Sequence, residues 1–313
     1  MKWEYAAQRK EYARALIDLG KEREDIVVLD ADLSSSTQTS KFGAKFPKRF
    51  FNCGIAEQNM MGTAAGLAAS GKTVFASTFA VFATGRCWDQ IRQSIAYPRF
   101  NVNIVASHAG ITVGGDGASH QIAEDIALMR TLPNMTVVVP ADAPETYRAV
   151  KAVTEWDGPC YVRLGRVDFP VVTDWEGPFE IGKATVMREG DDISLVATGQ
   201  MVAACLEAAE DLEKEGVSAE VINMSTIKPL DEDALARTVR KTGGVVTAEE
   251  HNYLTGLGSA VACYLVENHR VPMKRVGIPD VFGESGDSDE LMGRYGLTHK
   301  EVVAAAKDVI RRK

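Results

Sequence analysis

The chain has 313 residues, 45 per cent of them hydrophobic and 25 per cent charged, which is an ordinary globular composition of a size for two domains and excludes a disordered or fibrous protein. Asp and Glu (43) outnumber Lys and Arg (35), and the net charge of −8 with no basic block leaves no electrostatic footprint for nucleic acid or anionic lipid. No apolar run approaches the ~18 residues a membrane-spanning helix needs, the first ten residues are too polar for a signal peptide, and five scattered cysteines without a CxxC pair argue against a disulfide framework or a zinc site. A protein of the cytoplasm is the expectation.

Short β-branched runs alternate with helical segments along the chain. Strands are expected at 26–29, 73–76, 102–106, 136–139, 160–164, 193–197, 219–222 and 244–247, most of them apolar throughout, as in parallel strands covered on both faces. Helices are expected at 84–97, 143–156, 200–215, 231–241 and 256–269. Asp142 to Glu145 and Thr298 to Glu301 have the spacing of capping boxes. The alternation predicts an α/β protein of two doubly wound domains. Residues 169–180, with Pro170, Gly177 and Pro178, form the expected linker between a domain at 1–168 and one at 181–313.

Candidate chemistry concentrates in the first domain. Glu57 opens a helix of small apolar residues in GIAEQNMMGTAAGLAA. Its ordinary role there is to complement the helix dipole; the alternative is a partly desolvated carboxyl that exchanges a proton with a ligand. Gly62 and Gly66, with Ala65 and Ala69, would let another backbone approach closely. Phe79 and Phe82 in STFAVF are either core aromatics or a stacking wall beyond a strand's carboxyl end. His108 and His120 lie on loops with Asp116 and several glycines, which shifts a pair of histidines towards a site. The Gly115-Asp116-Gly117 triplet is not followed by the Asn pair with which such a triplet holds magnesium and diphosphate in thiamine diphosphate enzymes, so no metal site is expected. Dinucleotide, P-loop and serine-hydrolase motifs are absent from the sequence.

Taken in order, GIAEQNMMGTAAGLAASG, STFAVF, the segment 106–142 and RLGR at 163–166 resemble the carboxyl-terminal half of transketolase, and VINMSTIKPLD and TAEEHNYLTGLGSAV continue the likeness more loosely. The resemblance implies a pyrimidine-binding domain followed by a transketolase C-terminal domain. It makes Glu57 the carboxyl that bonds N1′ of the aminopyrimidine of thiamine diphosphate, the contact through which that ring takes the proton from C2 of the thiazolium. It makes Phe79 and Phe82 the wall of the pyrimidine, and places Asp32 near the thiazolium. Transketolases usually carry a third aromatic where this chain has Gly85; Trp88, one turn further along, is a candidate to compensate, and what fills that edge of the pocket stays open. Arg9, Ser36, His108 and Arg166 match positions that grip the sugar phosphate, a set suited to a dianion. Asp116 and His120 would bond the sugar hydroxyls, and His120 and His108 are expected to act beside Glu57 in catalysis.

The diphosphate- and magnesium-binding domain of a complete transketolase has no counterpart in this sequence. The resemblance therefore implies one subunit of a split transketolase, with thiamine diphosphate shared with an N-terminal partner subunit, Mg2+ bound by that partner, and a two-plus-two complex. Related readings are the β subunit of a 2-oxoacid dehydrogenase E1 component, a deoxyxylulose-phosphate synthase-like enzyme, and a non-catalytic scaffold subunit.

Overall fold

A computed structural model describes residues 2–313. Fourteen strands follow in chain order: Tyr5–Ala6 (β1), Ile26–Asp30 (β2), Phe50–Asn52 (β3), Thr73–Phe79 (β4), Val102–Ser107 (β5), Thr136–Val138 (β6), Cys160–Arg163 (β7), Phe169–Pro170 (β8), Thr185–Arg188 (β9), Ile193–Ala197 (β10), Ala219–Asn223 (β11), Thr226–Lys228 (β12), Val245–Asn252 (β13) and Met273–Ile278 (β14). The protein is α/β. One sheet of seven strands runs β12-β6-β7-β5-β4-β2-β3 and a second of five runs β14-β13-β10-β11-β9.

All pairings in the first sheet are parallel except β12 with β6. In the second, only β9 with β11 is antiparallel. The central strands β2, β4, β5 and β10 are buried along their whole length, so their continuous apolar runs are covered by helices on both faces. Chain order places β4 on the opposite side of β2 from β3, so the carboxyl ends of β2 and β4 flank a topological switch point, where open α/β sheets place their ligands.

Three features depart from the sequence expectation. β12, sequentially within the second half, adds an antiparallel edge to the first sheet, so the two halves share a sheet as well as an interface. The segment expected to be a plain linker is tied down at its start: β8 pairs with β1, and the Asp142 carboxylate accepts the backbone N–H groups of Val172 and Thr173 at 2.7 and 2.6 Å. The expected helix at 84–97 starts directly after β4 and is broken up. π-helical turns span Val81–Arg86 and Ile91–Ala96 around a short α-turn at Trp88–Gln90. A π-turn accommodates one extra residue and is frequent at functional sites.

The caps are partly as expected. Asp142 Oδ1 accepts from Glu145 N at 2.9 Å, but Glu145 reaches back to Ala141 N rather than to Asp142 and also accepts from Asn223 Nδ2 of the second sheet at 2.9 Å. Thr298 caps Lys300 N at 3.3 Å, and its hydroxyl donates to the Glu301 carboxylate in place of the reciprocal backbone bond. In the helix Glu57–Ala69, Met60, Met61, Ala64 and Ala65 are buried. Gly62, Gly66 and Ala69 are exposed, and a Cβ at either glycine would meet nothing; Ala65 is therefore core, not part of an open stripe. All five cysteines are free. Among the described residues, no helix is long and apolar enough to cross a membrane, and no cluster of side chains could hold a metal ion.

Candidate active site

Glu57 stands at the first position of its helix with only 3 per cent of its side chain exposed. Such a carboxylate needs a partner, and it finds one that the sequence does not advertise. Arg86, thrown out by the π-turn after β4, donates from Nη1 to Glu57 Oε1 at 2.8 Å. Its guanidinium also lies 4.6 Å over the Phe82 ring, a cation–π arrangement. Gln58 Nε2 holds the Arg86 carbonyl at 3.1 Å.

Phe82 and Phe79 stack at 6.0 Å and 12°. Phe79 is as buried as a core residue but stacks on the His108 imidazole at 3.7 Å, and the His120 ring stands edge-on to Phe82 at 5.4 Å. The structure thus joins Glu57, Phe79, Phe82, His108 and His120 into one wall. The side opposite Gly85 is open, since a Cβ there meets nothing. Trp88 does not close it: its indole N–H donates to Leu128 O at 3.0 Å, which commits the ring towards the helix Asp125–Arg130. The candidate substitution for the third aromatic is therefore not made.

His108 follows directly on β5 in a left-handed conformation, φ 57°, a backbone cost that non-glycine residues tend to pay at functional sites. Its Nδ1 pairs with Ser107 Oγ at 2.9 Å. Burial, reinforced by the positive charges of Arg9, Arg166 and His120, pushes its pKa down to about 3. His108 is accordingly a neutral imidazole near pH 7, which can donate or accept a hydrogen bond but adds no positive charge.

Arg9 and Arg166 meet beside it. Arg9 donates from Nη1 to Ser36 O and from Nη2 to Arg166 O, both at 2.7 Å. Ser36 thus contributes its carbonyl to orienting Arg9. Arg9 Nε is buried with no protein partner. Burial lowers the Arg9 pKa, Arg166 adding to the effect and Asp168 opposing it. Gln8, unremarked in the sequence, fixes this helix start by donating to Pro140 O at 2.9 Å and accepting from Gly165 N at 2.8 Å. Arg166 donates to Val113 O and faces Asp116 at 3.9 Å.

Asp32 lies apart from the ring wall. Also left-handed, φ 63°, it exchanges two hydrogen bonds with Asn52, its N–H to Asn52 Oδ1 at 3.1 Å and Asn52 Nδ2 to Asp32 Oδ1 at 3.0 Å. Asn52 Oδ1 also accepts from Gly54 N at 2.9 Å, linking Asp32 to the turn that leads to Glu57. Buried Asp30, accepting from Thr37 and Thr39 hydroxyls and Leu33 N, shapes the turn carrying the serines.

The arrangement is a buried carboxylate beside flat aromatic rings, next to two guanidiniums and two imidazoles. Known proteins share the two domains that carry it. The transketolase pyrimidine-binding domain matches residues 4–171 and the transketolase C-terminal domain residues 182–302. A chain of Methanocaldococcus jannaschii named as a transketolase C-terminal section is 50% identical over 95% of this chain and 94% of its own length. A 6-deoxy-6-sulfo-D-fructose transketolase subunit of Clostridium sp. is 44% identical over 97% of this chain and 95% of its own. Among solved structures, a split-gene transketolase described as an inactive β4 tetramer superposes with a TM-score of 0.92 at 54% identity, covering 97% of this chain and 98% of that one. With both domains matched in order over nearly all of its length, this chain belongs to the transketolase family.

Proposed function

We propose that the chain is the C-terminal subunit of a split transketolase that uses thiamine diphosphate to move a two-carbon ketol unit from a ketose phosphate to an aldose phosphate. The observation that carries this reading is the Glu57 carboxylate, almost fully buried and paired with Arg86, whose guanidinium lies over the Phe82 ring. A carboxyl and a flat apolar wall suit an aminopyrimidine, and the unfilled space opposite Gly85 leaves room beside them. When bound, the cofactor supplies the carbon nucleophile and electron sink of the reaction.

The chain's own residues do the rest. Glu57 holds or yields a proton at N1′ of the pyrimidine, while Phe79 and Phe82 keep water from that contact. Arg9, whose buried Nε lacks a partner, and Arg166 bind the anionic end of the sugar. His108, neutral, donates or accepts one hydrogen bond there. Asp116 and His120 bond hydroxyls, His120 serving proton transfer at the ketose end, and Asp32 faces the thiazolium side. Two relatives support an anionic sugar: one is named for a sulfo-fructose and another, from Phocaeicola vulgatus, for apulose 4-phosphate.

The diphosphate and Mg2+ belong to an N-terminal partner subunit in this reading, in a two-plus-two complex in the cytoplasm. That a relative's β4 tetramer is described as inactive is consistent with a need for such a partner. A net charge of −8 without a basic block does not favour nucleic acid or anionic lipid as a partner.

The test is co-purification from the native host, followed by transfer between xylulose 5-phosphate and ribose 5-phosphate. A partner carrying GDG and an Asn pair, transfer by the complex, and abolition by Glu57→Gln without loss of fold are the expected results. Decarboxylation of pyruvate in place of ketol transfer would favour the 2-oxoacid or deoxyxylulose-phosphate readings. Full activity of a Glu57→Gln complex would leave a scaffold. Turnover by the purified chain alone would end the split-enzyme reading.

A further inference from the structure

The loop from His108 to Gln121 carries three of the residues assigned above to the sugar, and the second half of the chain holds it in place. Glu250, on β13, accepts at Oε1 from both Thr112 N (2.9 Å) and Thr112 Oγ1 (2.8 Å). Its Oε2 faces Arg163 Nη1 at 3.8 Å, and Arg163 Nη2 donates to its carbonyl at 2.8 Å. Arg163 is anchored in turn by Asp125, Nε to Oδ2 at 2.8 Å. All three charged groups are buried. The fit is close: a Cβ at Gly110 would fall 2.1 Å from Glu250 Oε1, so only glycine lets the loop pass. From the segment after β14, Ser288 Oγ donates to Thr112 O at 3.0 Å. Gln121 Nε2 ties the loop together, donating to Ile111 O at 3.1 Å, Gly114 O at 3.3 Å and Glu284 O at 2.9 Å.

We propose that Glu250, with Ser288, is a positioning residue for substrate binding: the C-terminal domain clamps Thr112 and thereby sets the loop that presents His108, Asp116 and His120. The proposal rests on the sugar-phosphate reading of that loop. Glu250 does not touch substrate; it acts through Thr112. The arrangement has a clear physical purpose. A loop rich in glycine (Gly110, Gly114, Gly115, Gly117) has many backbone conformations, and its ordering would otherwise be charged to each substrate that binds. A buried carboxylate that takes both donors of one residue removes that freedom in advance.

The test uses the complex of this chain with its co-purified partner and four variants. Ser288→Ala removes one neutral hydrogen bond and Thr112→Val one hydrogen bond to the Glu250 carboxylate, each with little change of volume, and both are expected to raise KM for xylulose 5-phosphate by roughly 2- to 10-fold. In both, kcat, the unfolding midpoint and the affinity for thiamine diphosphate stay near wild type. Glu250→Ala, which also strips Arg163 of a partner, is expected to raise KM further, and Glu250→Gln, whose amide oxygen still accepts from Thr112, to restore most of the loss. Variants that keep wild-type folding and cofactor affinity with an unchanged KM would overturn the proposal. So would equal losses in kcat and in apparent cofactor affinity, the pattern of a general packing defect. If Glu250→Ala does not fold, Thr112→Val and Ser288→Ala decide the matter. Absence of ketol transfer in the wild-type complex would instead refute the transketolase activity, which separates the two failures.

Discussion

Arg86→Met isolates the pairing at the heart of the candidate site. Glu57 is 3 per cent exposed and Arg86 45 per cent, with Nη1 and Oε1 2.8 Å apart. Breaking a fully buried ion pair costs ~3–5 kcal/mol, because a charge is left alone in low dielectric, whereas an exposed pair contributes ~0.2–1 kcal/mol. This pair joins a buried carboxylate to a half-exposed guanidinium, so about 2 kcal/mol is expected for Arg86→Met. Part of that, ~0.5 kcal/mol, is the contact of the guanidinium with the Phe82 ring, which a methionine only partly replaces. In a Glu57→Gln background no buried charge remains to be stranded, so the same substitution should cost only about 0.5 kcal/mol, a coupling of about 1.5 kcal/mol. Urea unfolding of the four proteins of the cycle measures it. Equal costs of Arg86→Met in both backgrounds would show that Arg86 stabilises the fold without neutralising Glu57.

Four other outcomes follow from single environments. Gly85→Ala places a methyl group in open space within a helical turn and should stabilise the chain by roughly 0.5–1 kcal/mol, read as a raised urea midpoint; a lowered midpoint would mean the π-turn requires glycine. Gly190→Ala would set a Cβ 2.2 Å from the Ala219 carbonyl carbon on β11, and should lower the thermal midpoint by an amount equivalent to at least ~2 kcal/mol, since backbone must move; near-neutrality would refute that packing. Burial raises the Glu145 pKa to about 7, so between pH 4.5 and 7 the folded chain keeps a proton that the unfolded chain has lost, and stability falls as pH rises through that window by about 3 kcal/mol. Burial raises the Glu249 pKa to about 7 as well, so Glu145→Gln should lessen this slope and leave the part that Glu249 contributes. His108, with its pKa pushed down to about 3, has the opposite sign: its contribution is complete above pH 6.5 and is lost as pH falls towards 3, and His108→Asn should lessen that acid limb, to which buried His251, pushed down to about 4, also contributes. Urea denaturation at several pH values checks both.

The relation between sequence and site is uneven in an instructive way. Phe79, Phe82 and His108 stand out in the sequence because they close or directly follow apolar strands, and strand ends at a switch point are where the fold places ligands; Glu57 stands out as a carboxylate opening a helix of small residues, and His120 through its glycine-rich loop. Arg9 and Arg166 were legible only as a matched set. Their common grip depends on Gln8 bridging Pro140 O and Gly165 N, a contact across more than 130 residues. Arg86 was not legible at all: in sequence it is one more arginine on a helix, and the π-turn alone turns it onto Glu57. Trp88, the candidate for the place of the third aromatic, binds its indole N–H to Leu128 O, a contact that the sequence does not show.

By itself the sequence determined the α/β class, the central strands and most helices, because burial on two faces writes continuous apolar runs and burial on one face writes a helical period. Tertiary structure alone decided that Thr226–Lys228 joins the first sheet, that Glu250 from β13 accepts hydrogen bonds from Thr112 in a loop beyond β5, and that Arg163 bridges Asp125 and Glu250. A three-residue edge strand has no period to read. A buried charge, likewise, is indistinguishable in sequence from a solvated one, because what neutralises it comes from a distant part of the chain.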